Sequence, residues 1–249
     1  MNGPFVIEVA DLRVRYGSYE AVKGVSFALA KGEILGIVGE SGSGKSTIAK
    51  TLMGLERTAS GTISFPSGPV RLQMIFQDAV GSLNPRMTIR QTLREVIAQI
   101  QGKRGNAAED EARRLLGLVG LSEAVLDQYP REMSGGQCQR VSIARALATQ
   151  PDVLVADEPV SALDVSVQAR VLNLLRDLRR EMGLSILLIA HDLAVVKNVC
   201  DRVCVMERGR FVDVGETEAV FAHPTSDYTK RLLAAVPTLD GMTSPPLQA

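Results

Sequence analysis

Gly39-Glu-Ser-Gly-Ser-Gly-Lys-Ser46 is the stretch that decides the fold of this chain. It fits the phosphate-binding pattern G-x-x-x-x-G-K-[S/T], and its neighbours supply the context that the pattern needs. Ile34-Leu-Gly-Ile-Val38, just before it, is a short apolar run of the kind that forms a parallel strand buried on both faces. Residues 45–53, just after it, read as a helix. Gly39, Glu40, Ser41, Gly42, Ser43 and Gly44 therefore form a strand-to-helix loop whose main chain can approach phosphate closely and aim successive N–H groups at it. Lys45 is expected to reach the β- and γ-phosphates of a nucleoside triphosphate, Ser46 to ligand Mg²⁺, and Thr47 to approach the α-phosphate.

Working outward, Val153-Leu-Val-Ala-Asp157-Glu158 is an apolar strand ending in two carboxylates. A buried acidic pair at a strand end is costly unless charge meets it there. Asp157 suits a Mg²⁺ partner and Glu158 a general base for attacking water. Met133-Ser-Gly-Gly-Gln137 lies before a helix expected over residues 140–148. Its serine and glycines offer a second set of N–H groups at a helix start, an anion site over Ser134, Gly135, Gly136 and Gln137. Taken alone, Ser134 reads equally well as an ordinary helix cap. Beside the first loop and the acidic pair, it implies two phosphate-binding helix ends in one chain. One domain rarely brings two such ends to one γ-phosphate. The economical arrangement is two copies or relatives, head to tail, each completing the other's nucleotide site.

The rest of the chain reads as α/β. Strands are expected over residues 5–9, 22–29, 62–65, 70–76, 153–156 and 185–190, and a hairpin over 202–206 and 210–214 around Glu207-Arg-Gly-Arg. Ile89, Leu93, Val96, Ile97 and Ile100, then Ala108, Ala112, Leu115, Leu116 and Val119, recur at helical spacing, so residues 80–150 read as mainly helical. Val167, Val171, Leu174, Leu175, Leu178 and Met182 mark another helix face. Strand and helix alternation predicts a mostly parallel sheet with helices on both faces. The tail beyond Val236, with Pro237, Pro245 and Pro246, is expected to be irregular.

Composition excludes several classes. Lys and Arg total 28 against 28 Asp and Glu, with pI near 6.8, which argues against nucleic-acid binding through a broad basic face. No apolar run reaches the roughly 18 residues of a membrane span, and the first residues lack the features of a signal peptide. Membrane contact is expected only through another protein. Cys138, Cys200 and Cys204 have no metal-site spacing and read as reduced, buried thiols.

With these motifs together, the chain resembles the nucleotide-binding subunits of ABC transporters over nearly its whole length. The resemblance implies a P-loop ABC cassette: an α/β core over about 1–78 and 151–220 with an N-terminal antiparallel portion, and a helical subdomain over about 79–150. These form one ATPase domain over 1–236, followed by a tail over 237–249. It implies ATP and Mg²⁺ as ligands. Tyr16 fits the aromatic that stacks on adenine, with Tyr19 a second candidate and a partly buried strand-end tyrosine a serious rival. Gln77 fits the glutamine that touches Mg²⁺ or water and senses the transmembrane partner. Met133–Gln137 fits the signature, Ser161-Ala-Leu-Asp164 the loop that communicates across the dimer, and His191 the switch that contacts the γ-phosphate.

Phe76-Gln-Asp, Ser82-Leu-Asn-Pro-Arg86, the run from Asp157 to Gln168, and His223-Pro…Tyr228-Thr are similar to the peptide/nickel importers. That likeness implies two permeases, a second, different ATPase subunit, an extracytoplasmic binding protein, and a place on the cytoplasmic face of a bacterial plasma membrane. Three departures stand out: a short stretch between Lys45 and Gln77, an insertion within His223-Pro-Thr-Ser-Asp-Tyr, and no cysteine-rich tail. The last leans toward nickel or a metallophore rather than an oligopeptide. A soluble ABC ATPase of DNA repair or translation is the alternative. It is disfavoured by the single cassette and by the limited room between Gln77 and Ser134. A P-loop kinase or GTPase leaves Met133–Gln137 and His191 unexplained.

Overall fold

A computed structural model of the chain describes residues 5–235, so the tail over 237–249 lies outside the described residues. β1 (Phe5–Tyr16), β2 (Tyr19–Ala30) and β4 (Ser60–Ser64) form an antiparallel sheet in the order β2-β1-β4. Six further strands, β3 (Ile34–Val38), β5 (Leu72–Ile75), β6 (Val153–Asp157), β7 (Ser185–Ala190), β8 (Arg202–Glu207) and β9 (Arg210–Glu216), form the main sheet in the order β5-β6-β7-β3-β8-β9. Within it only β9 runs antiparallel, closing the expected hairpin with β8.

The main sheet is apolar on both faces, and its strands divide their side chains by the two-residue period of a pleated sheet. Leu35, Ile37, Val155, Leu187 and Ile189 join the layer beneath the N-terminal sheet, with Ile48 from the helix that follows β3. Ile34, Val38, Leu154, Ile186 and Leu188 join the opposite layer. That second layer runs without a break into α2 (Ile89–Gln101), α3 (Asn106–Leu118) and α4 (Gly135–Leu147), and into α5 (Val165–Met182) and α6 (Leu193–Val199). α1 (Lys45–Leu52) follows β3, and α7 (Thr217–Ala222) and α8 (Asp227–Ala234) follow β9. Cys138, Cys200 and Cys204 are free and buried, and no helix among the described residues is long and apolar enough to cross a membrane.

Several boundaries differ from those expected, among them those of β1, β5 and α4. β1 continues past residue 9 because a bulge absorbs a break in alternation. Asp11 takes φ 46°, its N–H donates to Ser26 Oγ at 2.9 Å, and Leu12 and Val14 then resume the inward positions. β5 is confined to Leu72–Ile75. α4 begins at Gly135, ahead of the expected start at residue 140, because Ser134 and Gln137 cap it reciprocally. The two glycines, poor helix formers, are therefore its first turn.

Candidate functional site

Parallel registry brings the sequence motifs together. Val38 of β3 pairs with Ala190 of β7, Ile189 of β7 with Asp157 of β6, and Ala156 of β6 with Ile75 of β5. Gly39, His191, Glu158 and Gln77 thus emerge side by side at the carboxyl ends of four adjacent strands. Open α/β sheets bind ligands at that edge. A cavity of about 630 Å³ opens there, lined by Tyr16, Tyr19 and Ala21 on one side, Glu40–Thr47 without Ser43 along its floor, and Gln77, Glu158 and His191 at its far end.

The loop owes its shape to two close backbone approaches. A Cβ on Gly39 would lie 2.1 Å from the Met206 carbonyl oxygen, and one on Gly44, whose φ is 109°, 2.5 Å from that of Ala21. Gly44 starts α1 with no side-chain cap, so the first-turn N–H groups keep no side-chain acceptor. Lys45 is only 3% exposed. Its Nζ donates to the carbonyls of Gly39 at 2.7 Å and Glu40 at 2.8 Å. Burial lowers its pKa, while the nearby charges of Glu158 and Asp157 act the other way.

Ser46 Oγ donates to Asp157 Oδ1 at 2.8 Å. Burial raises the Asp157 pKa, and the Ser46 hydrogen bond opposes that rise. A hydroxyl beside a buried carboxylate is an all-oxygen donor pair of the kind hard divalent cations take, usually with substrate phosphates completing the shell. The described residues contain no cluster of three or more His, Cys, Asp or Glu able to hold a metal by themselves.

Glu158 turns sharply off β6. Its φ of 46° lies in the left-handed region, a conformation that costs on the order of 1–3 kcal/mol outside glycine and tends to persist where function needs it. The turn is fixed by its N–H donating to Ile189 O at 3.0 Å. Glu158 Oε2 lies 3.3 Å from His191 Nδ1 and accepts from Gln77 Nε2 at 3.3 Å. Gln77 also donates to Ser161 Oγ at 3.3 Å. A carboxylate so held, on the rim of this cavity, can take a proton from a water molecule.

Tyr16 and Tyr19 face each other across the β1–β2 turn, and both line the cavity. The Tyr16 pKa is raised by burial, with Thr47 and Glu56 beside its hydroxyl. Both side chains are exposed and line the cavity, so either ring can meet a flat base.

Ser134, Gly135, Gly136 and Gln137 are not brought to this cavity. Ser134 and Gly135 are exposed at the tip of α4. A Cβ on Gly136 would fall 2.4 Å from Val167 Cγ1, so this glycine is required by the packing of α4 on α5, a role its pattern did not reveal. Gly135 has no such constraint, its nearest neighbour being Leu163 Cδ2 at 3.5 Å. The loop from Glu158 to Asp164 has a support that sequence reasoning missed. Gln168 Nε2 donates to the carbonyls of Val160 at 3.1 Å and Leu163 at 2.9 Å, while Asp164 caps α5 by accepting from Val167 N–H. Tyr228, noted only as part of a motif, reaches the phosphate loop itself. The spacing of Gln168 and Tyr228 carries no signal of these contacts.

A family model described as ABC transporter matches residues 22–161. The chain is 46% identical over 259 aligned residues to the oligopeptide transport ATP-binding protein OppF of Lactococcus lactis subsp. lactis, covering 94% of this chain and 81% of that one. It is 42% identical to OppF of Escherichia coli, covering 94% and 78%. Among solved structures, cbiO1 from Clostridium perfringens, part of the ABC transporter complex cbiONQ, superposes with a TM-score of 0.79 at 28% identity, covering 88% of this chain and 91% of that one. The ATP-binding cassette MJ0796, solved as a dimer in a post-hydrolysis state with ADP and Pi, gives 0.74 at 26% identity, covering 85% and 98%. The strand-end loop, the acidic pair and these likenesses agree: the chain belongs to the ABC transporter family, as one of its ATP-binding cassettes.

Proposed function

We propose that this chain is the ATP-hydrolysing subunit of a membrane importer of the peptide/nickel type, with peptides as its cargo. The observation that carries the reading is one cavity at the strand ends. It gathers Lys45, Ser46, Glu158, His191 and Gln77 from four separate stretches of sequence, with Asp157 hydrogen-bonded to Ser46. The OppF names of relatives similar over most of both chains favour peptides over the nickel or metallophore expected from the chain's end. They also disfavour a soluble ATPase of repair or translation.

In this reading the amides of residues 40–47 and the Lys45 ammonium hold the phosphates. Tyr16 or Tyr19 stacks on the adenine. Ser46, Asp157 and Gln77 would hold Mg²⁺, which supplies positive charge against the phosphate oxygens when bound. Glu158 accepts the proton of the water that attacks the γ-phosphate, and His191 and Gln77 keep its carboxylate in place. Phosphoryl transfer is served mainly by such positioning and electrostatics.

Ser134 and Gly135 lie outside this cavity, and MJ0796 was solved as a dimer. Both favour completion of each nucleotide site by the α4 tip of a second cassette, which the importer likeness makes a related but different subunit. Nucleotide binding then favours closure, and hydrolysis with phosphate release favours opening. The segment over about 79–150 serves as the helical arm of one domain spanning 1–236, and residues 77–100 pass the motion to one of two permeases at the cytoplasmic face of the membrane. An extracytoplasmic binding protein delivers the peptide.

The test is isolation of the assembled complex from membranes, followed by reconstitution into liposomes with its binding protein. Peptide-stimulated ATP hydrolysis coupled to peptide uptake is the expected result. Absence of permeases from the complex, or hydrolysis indifferent to peptide, would sink the importer reading.

A further inference from the structure

The phosphate loop is held from outside as well as from within. Both polar groups of the Glu40 main chain are taken. Its carbonyl accepts from Lys45 Nζ at 2.8 Å and from Ser43 N–H at 3.2 Å. Its N–H donates to the hydroxyl of Tyr228 at 2.9 Å, across 188 residues of sequence. Tyr228 is 5% exposed and sits in the first turn of α8.

The start of α8 is itself pinned to the sheet. The Asp213 carboxylate on β9 accepts from Thr225 N–H at 3.2 Å, from Ser226 N–H at 3.1 Å, and from the Thr225 hydroxyl. Ser226 Oγ then caps α8 by accepting from Tyr228 N–H at 3.1 Å. Arg231 lies over the Tyr228 ring, 5.9 Å from its centroid, and 3.9 Å from Glu207 at the end of β8. The neighbouring hairpin meets the same side of the loop, where Gly209 N–H donates to Ser43 O at 2.9 Å. A continuous line of hydrogen bonds thus runs from Asp213 through the start of α8 and the Tyr228 hydroxyl to the residue whose carbonyl holds Lys45.

We infer that Tyr228 is a positioning residue for the phosphate loop: its hydroxyl orients Glu40, and through the Glu40 carbonyl sets where Lys45 Nζ stands, so that the segment after β9 tunes nucleotide affinity. The inference rests on the reading of Gly39–Ser46 as the ATP site. Tyr228 touches no reacting atom. Packing of α8 against the hairpin would by itself explain the buried ring, but it gives no reason for the hydroxyl to meet a loop amide.

The test is Tyr228→Phe in the full chain, which keeps the ring and removes the acceptor. Affinity for ATP, measured by calorimetry well below the melting temperature, is expected to fall about fivefold, the weight of one main-chain hydrogen bond. A role confined to packing would leave that affinity unchanged, because the ring stays in place. In the unmutated chain the Glu40 amide is expected to exchange its hydrogen more slowly than that of Ser41. Wild-type affinity in Tyr228→Phe, or a Glu40 amide exchanging as fast as its exposed neighbour, overturns the inference. Lys45→Ala, run in parallel, separates two failures. If it loses ATP while Tyr228→Phe does not, only the Tyr228 role falls. If Lys45→Ala binds ATP like the wild type, the loop reading itself falls and takes the inference with it.

Discussion

The chain presents two helix starts read from sequence as anion sites, and they are built differently. α1 begins at Gly44 in a left-handed conformation with no side-chain cap, and a buried lysine stands in its first turn. α4 begins at Ser134, which shares a reciprocal cap with Gln137: Ser134 Oγ accepts the Gln137 N–H at 3.3 Å and Gln137 Oε1 accepts the Ser134 N–H at 2.9 Å. The first tip is left open to a ligand: its donors have no side-chain substitute, and its shape is enforced by the backbone of β2 and β8. The second is a self-capped, exposed surface. The same helix-dipole physics serves both. In the reading proposed above, one chain completes the first tip and presents the second to a partner.

The largest effect should come from the strand ends beside α1. Glu158→Gln in the assembled complex is expected to lower ATP turnover by at least about 100-fold, the weight of a general base, with ATP affinity retained. Normal phosphate release by that variant would remove Glu158 from its role.

The α4 tip should respond in a contrasting way. Gly135→Asp places an acid where a helix start tolerates it well, so the purified chain should fold and bind ATP with wild-type affinity. Turnover by the assembled complex should nevertheless fall about tenfold or more through repulsion of the γ-phosphate. Loss of ATP affinity in the single chain would mean that the two tips act within one molecule, and the contrast would collapse.

Gly136→Ala isolates packing from binding. Its new Cβ meets the Val167 side chain and should cost about 1–3 kcal/mol, lowering Tm by roughly 2–10 °C. Val167→Ala in the same chain should restore most of that loss. An unchanged Tm would show that α4 and α5 are less closely packed than their geometry indicates.

The smallest effect lies away from both tips. Glu111 on α3 accepts from Arg114, Lys103 and Gln101, and the Arg114 hydrogen bond is the chief cause that holds its pKa down to about 2. A depressed carboxylate stabilises the fold above its unfolded pKa, and that contribution fades as pH falls from about 4.5 toward 2. Glu111→Gln should therefore lower Tm by a few degrees at pH 7, roughly the effect of one ion-paired hydrogen bond. The gap between variant and wild type should narrow below pH about 4.5. A gap independent of pH would assign the loss to packing. Nucleotide affinity should not move at any pH, which separates this cluster from the α1 site.

Much of the fold was legible because its signals are local. β3, β6 and β7 are buried on both faces and read as unbroken apolar runs, and the Gly-rich loop and Glu207-Arg-Gly-Arg announce their turns in consecutive residues. The misreadings came where a local signal was overruled. Asp11 interrupts the alternation of β1, and only a bulge lets Leu12 and Val14 return to the core. Gly135-Gly136 lowers helix propensity, yet the cap at Ser134 and the proximity of Val167 place both glycines inside α4.

From the sequence alone came the chemistry: a lysine and hydroxyls after a glycine loop, two carboxylates closing a strand, a histidine closing another, and a second serine-glycine helix start. Those residues lie in short stretches whose order and spacing carry the information, since main-chain geometry links neighbours directly. The tertiary structure decided their company. Parallel registry sets Gln77, Glu158, His191 and Gly39 abreast, keeps Ser134 away from them, holds the loop after Glu158 through Gln168, and brings the Tyr228 hydroxyl beneath Glu40. Such contacts join residues up to 188 positions apart. They follow from which strands pair and how helices cover them, a property of the whole packed core that no local stretch encodes.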